Sequence, residues 1–193
     1  MSKELNPLSC INKIQKSKYT VLAFPMAIIV INLFCAYFLH YEFIKIVSVL
    51  AMLFYLYILW LYRVNDIDID SDSSKLFSPI NGKIIDIQEF ENFRQITVLK
   101  SINQSPEVRS MSNEDIIGKS SESTSPSFYI KGLMARLFDV SMPHLQGQLV
   151  GIAAGKTLAY INIPNSYELC ISVNFKVTVG KTIIGIAKEN YNG

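Results

Sequence analysis

The sequence predicts an N-terminal transmembrane α-helical hairpin followed by a mainly-β domain of sandwich or barrel-sandwich type. Two observations carry this. From Tyr19 to Arg63 the chain holds one lysine, Lys45, and one acid, Glu42, and its apolar run is broken only at His40-Tyr41-Glu42. Each half supplies the ~20 apolar residues needed to cross a hydrocarbon core of ~30 Å. Beyond Arg63 the pattern changes to short branched runs separated by Gly, Pro and Asn, the signature of strands and turns.

Taken in order, residues 1–18 form a cytoplasmic lead-in carrying Lys3, Lys13, Lys16 and Lys18. Residues 19–63 form the hairpin, with spans at Thr20–Leu39 and Phe43–Tyr62. A secretory signal has a shorter apolar region and a small-residue cleavage site, so it does not fit. Pro25 is tolerated in a membrane helix. Tyr55, Tyr57, Trp60 and Tyr62 gather at one end of the second span, as interfacial aromatic residues do. The lysines before the hairpin and Arg63 after it place both ends in the cytoplasm by the positive-inside rule. The expected location is therefore the inner (plasma) membrane, with the N-terminus and the β domain cytoplasmic.

Residues 64–75 read as an acidic linker in which Asp66, Asp68, Asp70 and Asp72 alternate with other residues. The pattern lacks the Gly and the closing Glu of a calcium-binding EF-hand loop, so it is taken as a solvated linker or edge strand. The β domain occupies 76–193. Asn81-Gly82 favours a tight reversal ahead of a strand at Lys83–Ile87. Further strands are expected at Arg94–Leu99, Ser127–Val140 (broken at Gly132), Leu149–Ala153, Thr157–Ile163, Tyr167–Val173 and Lys176–Ala187 with a turn at Gly180. Residues 101–126 are a serine-rich polar loop, expected to be disordered.

A net charge of +2 gives no electrostatic footprint for nucleic acid. Cys10, Cys35 and Cys170 form no C-x-x-C pair and support neither a disulfide framework nor a zinc site. Gly151-Ile-Ala-Ala-Gly155-Lys156-Thr157 has three residues between its glycines, where a phosphate-binding loop needs four. A strand follows it in place of the required helix.

Several segments, in order, resemble the small membrane-anchored phosphatidylserine decarboxylases. They are the hairpin closed by an Arg, Ser78-Pro-Ile-Asn-Gly-Lys-Ile84, Tyr129-Ile-Lys-Gly-Leu-Met-Ala-Arg136, Gly147-Gln-Leu-Val-Gly151-Ile, Tyr160-Ile-Asn-Ile-Pro164 and Phe175-Lys-Val-Thr-Val-Gly180-Lys-Thr-Ile-Ile-Gly185. The resemblance implies a proenzyme that cuts itself at a Gly-Ser bond and converts the serine to a pyruvoyl group. That ketone forms a Schiff base with the substrate amine and accepts electrons during loss of carbon dioxide, with an Asp and a His assisting self-cleavage.

This chain departs from that pattern at the processing site. Aligned without gaps, Lys156 and Thr157 stand where Gly and Ser belong. Shifted by one, Gly155 is kept and Lys156 takes the serine position. Neither register leaves a serine, so no pyruvoyl group forms there and no cofactor is expected. The family's Asp is Asn81, an amide that cannot act as a base. Of the two histidines, His40 falls in the hairpin loop and His144 at a Pro-containing turn before Lys156. His144 is a possible substitute base reaching Thr157 across a hairpin, or simply an exposed residue.

The expected function is a non-catalytic lipid-binding or regulatory relative of that family in phospholipid metabolism. Its expected partners are membrane phospholipid, in particular aminophospholipid, and another protein copy in a homo- or hetero-oligomer. One alternative is an active decarboxylase or other lyase using Thr157 or Lys156. Another is a membrane-tethered lipoyl-like scaffold of an envelope complex, for which Leu99-Lys100-Ser101 makes a poor attachment site.

Overall fold

A computed structural model describes residues 7–39, 42–64, 72–113, 115–118, 125–138 and 144–188. His40 and Asp66, Asp68 and Asp70 lie outside the described residues. Helix α1 runs Pro7–Leu39 and α2 runs Glu42–Leu61. The lead-in is therefore helical and continuous with the first apolar span. Proline at the first helical position suits this start, because its missing N–H would lack an intrahelical acceptor there. Lys18–Cys35 is long and apolar enough to cross a membrane, whereas the apolar part of α2, Ile46–Leu61, is shorter.

The rest is a mainly-β domain with a curled half-barrel sheet. Its strands are β1 (Lys75–Phe77), β2 (Gly82–Glu89), β3 (Phe93–Lys100), β4 (Glu107–Arg109), β5 (Ile116–Ile117), β6 (Ser127–Gly132), β7 (Ala135–Leu137), β8 (Leu149–Ala153), β9 (Thr157–Pro164), β10 (Tyr167–Leu169), β11 (Lys176–Val177) and β12 (Ile183–Ala187). The largest sheet has the order β11-β2-β3-β9-β6-β5; three-stranded sheets β1-β12-β10 and β4-β8-β7 complete the domain. All pairings are antiparallel except β5 with β6.

Alternation along the central strands builds the core. Ile96, Ile161 and Phe128 are register partners across β3, β9 and β6, and all three are fully buried. Each such side chain contributes about 1.5–3 kcal/mol by leaving water. Val98 and Ala159 form the next inward row. On the other face Tyr129 stacks on its cross-strand partner Tyr160, with ring centroids 4.7 Å apart.

Strand β8 belongs to two cores. Val150 and Ala153 pack into the β core, while Ile152 and Ala154 join Leu22, Ile58, Leu61 and Tyr62 of the helices. The β domain is thus packed directly on the helix pair.

Two local expectations are corrected. Asn81-Gly82 makes no hairpin turn; it carries the chain from β1 in one sheet into β2 in another. Gly82 is required by close approach, since a Cβ there would meet Val98 and lie 2.8 Å from the Leu99 carbonyl oxygen. Within 101–126, residues 114 and 119–124 lie outside the described residues, and the described part is not structureless: it contains β4 and β5, and Glu107, Val108, Arg109, Ser110 and Met111 are buried. Its polar side chains mislead because they are paired internally. Glu107 Oε2 accepts from Arg109 Nε at 3.1 Å, Glu107 Oε1 accepts from Ser105 Oγ at 2.8 Å, and Arg109 Nη1 donates to the Gly147 carbonyl at 3.0 Å. The turn at Gly180 is present, with φ 63°, a left-handed conformation that glycine adopts without steric cost.

Candidate functional site

The residues singled out in the sequence converge on one end of the large sheet. Lys100 pairs with Thr157 and Thr157 with Gly132, while Lys83, next to Gly82, pairs with Leu99. Gly82, Lys100, Thr157 and Gly132 therefore form a row across four strands, with Asn81 and the Gly155-Lys156 turn beside it. Loop 101–105 closes over this row and is tied down from both sides. Lys100 Nζ donates to the Ser101 and Gln104 carbonyls, each at 3.1 Å. From the end of α2, Arg63 Nη2 donates to the Asn103 carbonyl at 2.8 Å. The Arg63 guanidinium also lies over the Trp60 ring, 4.4 Å from its centroid, a cation–π arrangement.

Lys100, weighed in the sequence only as a poor lipoyl attachment site, is the buried amine of this row. Its side chain is 0% exposed. Burial pulls its ammonium down from 10.5 to about 8, and the like charge of Arg63 adds to the effect. A buried lysine of this kind keeps a larger neutral fraction near physiological pH, the form that reacts with carbonyl carbon. The signal was present in the strand period. Ile96, Val98 and Lys100 share one face at spacing two, so the two core residues carry Lys100 inward. Lys156, the lysine nominated from sequence, is exposed on its turn.

Asn81 is buried and uses both ends of its amide. Its Oδ1 accepts from the Val179 N–H at 3.0 Å and its Nδ2 donates to the Ser105 carbonyl at 3.4 Å. An ionised aspartate accepts only and would set its charge against the Ser105 carbonyl. Thr157 is 1% exposed, and its hydroxyl donates to the Gly155 carbonyl at 3.2 Å. Gly132 makes room for it, because a Cβ there would stand 2.7 Å from Thr157 Oγ1.

His144 stands apart from this group. It precedes β8 whereas Thr157 follows it, and β8 pairs with β4 and β7 while β9 pairs with β3 and β6. Among the described residues β8 and β9 are therefore not paired as a hairpin. His144 is also buried rather than exposed, at 4%. The segment after it is pinned inward: Gln146 N–H donates to Asn113 Oδ1 at 2.7 Å, and Gln146 Nε2 to the Lys75 carbonyl at 2.6 Å.

No family model, curated protein or solved structure matches the chain. Function is therefore argued from the geometry. Among the described residues no group of three or more His, Cys, Asp or Glu could hold a metal ion. What the site offers is a sealed amine, a buried hydroxyl and a backbone-lined loop, all at the sheet end nearest the exit of α2.

Proposed function

We propose that this protein is a membrane-anchored, phosphatidylserine-decarboxylase-like module that lacks pyruvoyl chemistry and acts as a lipid-binding or regulatory partner. The observation that carries it is the Gly155–Thr157 segment. It contains no serine, and its one hydroxyl, on the buried Thr157, is held by the Gly155 carbonyl. Asn81 supports the same reading, since the position where the resemblance places an acid is a two-way structural stitch.

The membrane hairpin and its orientation belong to this proposal. Only 11% of the Lys18–Cys35 window is buried, and Phe24, Phe34, Leu53 and Phe54 are among the exposed side chains. A helix pair apolar on its outer surface needs an apolar solvent. The 20 residues of α2 rise ~30 Å, the thickness of a hydrocarbon core. With the lysines and Arg63 inside, the β domain faces the cytoplasmic leaflet. Aminophospholipid and a second protein copy are the proposed partners, in a sandwich-like β scaffold.

The intact mass of the purified chain in detergent tests the proposal. One species at the full 21.8 kDa is expected. Two fragments parting before Lys156 or Thr157 would overturn it. A second reading is favoured by Lys100: its depressed pKa suits Schiff-base formation with a carbonyl compound once loop 101–105 lifts. Borohydride trapping followed by peptide mapping at Lys100 tests that reading, and absence of an adduct there removes it.

A further inference from the structure

We infer that the turn between β6 and β7, with Leu133 at its tip, docks onto the anionic leaflet in which the helices are anchored. Leu133 is 100% exposed, and Ile102 on the neighbouring loop is 42% exposed. The residue after Leu133, Met134, packs against the cluster that contains Ile58, Leu61 and Tyr62 of α2. The turn therefore adjoins the side of the β domain that packs on the helix pair.

Lysines gather at this end of the sheet. Exposed Lys131 and Lys156 flank Leu133, and Lys83 and Lys176, paired with each other across β2 and β11, lie toward the same end. The opposite end, at the β2–β3 turn with the exposed Phe90, carries both signs: Glu89 pairs in register with Arg94, and Lys188 Nζ donates to the carbonyl of Asn165, whose Nδ2 donates to the Glu91 carbonyl. The eight residues of β3 separate the two ends by ~25 Å, beyond the ~8–10 Å over which salt screens charge. The lysine-rich end therefore meets a negative surface while the mixed-charge end stays clear of it. An apolar tip ringed by lysines is the composition that binds the interface of an anionic bilayer.

The inference rests on the membrane-anchored reading, and the test separates the two. The full-length chain, with its three cysteines replaced by alanine, is placed in nanodiscs of phosphatidylcholine alone or mixed with phosphatidylglycerol. An environment-sensitive fluorophore is attached at Leu133→Cys or, as control, at Phe90→Cys, and brominated lipids serve as quenchers. We expect blue-shifted emission and several-fold stronger quenching at position 133 than at 90, enhanced by phosphatidylglycerol and reduced when Lys131→Glu and Lys156→Glu are combined. Quenching of Trp60 with none at 133 would sink this inference and leave the anchor standing. Absence of both would remove the anchor as well. A blue shift at 133 without lipid quenching would mean that protein covers the turn, which also overturns the inference.

Discussion

Replacing Lys100 with methionine should strengthen the fold at neutral pH, contrary to the usual cost of truncating a fully buried side chain. The parent lysine loses solvation on folding, and its two carbonyl partners do not fully compensate the charge. Its displacement from 10.5 to about 8 corresponds to at most about 3 kcal/mol. The two carbonyl hydrogen bonds, and screening by solvent outside the loop, offset part of this, leaving about 1–3 kcal/mol. Because the folded pKa is lowered, the unfolded chain binds more protons between about pH 8 and 10.5, so parental stability rises through that window. Methionine has nearly the same shape and no charge. Its variant should therefore gain at pH 7 and lose the rise. Urea unfolding in detergent micelles, followed by the β circular-dichroism signal at a series of pH values, measures both effects. A variant weaker than the parent at pH 7, together with a parent that is flat above pH 8, would refute the argument and make Lys100 a net stabilising strut of the loop.

Other outcomes follow from the same packing. Glu107→Gln removes the carboxylate charge that faces the buried Arg109 guanidinium at 3.1 Å, and should cost about 3–5 kcal/mol; a combined Glu107→Met, Arg109→Met chain should recover most of it in the same unfolding assay. Asp115 accepts from the Ser110 hydroxyl and the Met111 N–H, each at 2.8 Å, but burial outweighs these bonds and raises its carboxyl from 3.8 to about 6. The folded chain then holds the proton longer, so stability falls as pH rises from about 4 to 6, and Asp115→Asn should flatten that decline in a melting series. Ile152→Ala opens a void between β8 and the helices and should cost about 2–5 kcal/mol, with Trp60 fluorescence changing at the same transition.

The legible parts of this chain were those where side-chain type and burial agree. Leu149–Ala153 and Ile96-Thr97-Val98 are strands because branched residues alternate or cluster as a buried sheet requires, and the helices announce themselves by charge depletion. The division into three sheets was not legible, because β1 pairs with β12 and β3 with β9 through contacts far apart in sequence, which no local pattern encodes. Strand β4 was hidden for a different reason. Its polar residues look solvated, yet Glu107 and Arg109 form an ion pair inside the protein. At the candidate site, reading motifs one at a time found Asn81 and Thr157 but took Lys100 only as a poor attachment site, because its importance comes from the row it completes.

Strand β8 has a consequence for how the protein is made. The helices leave the ribosome first, and the surface formed by Leu22, Ile58, Leu61 and Tyr62 lacks its full cover until Met134, Phe138 and β8 emerge much later. During that interval the nascent chain presents an adhesive patch. Severing the β domain after Arg63 creates the mirror-image problem, since Ile152 and Ala154 would then face water. The two halves are therefore obligate companions during biogenesis, and a β domain produced alone should self-associate through the face of β8.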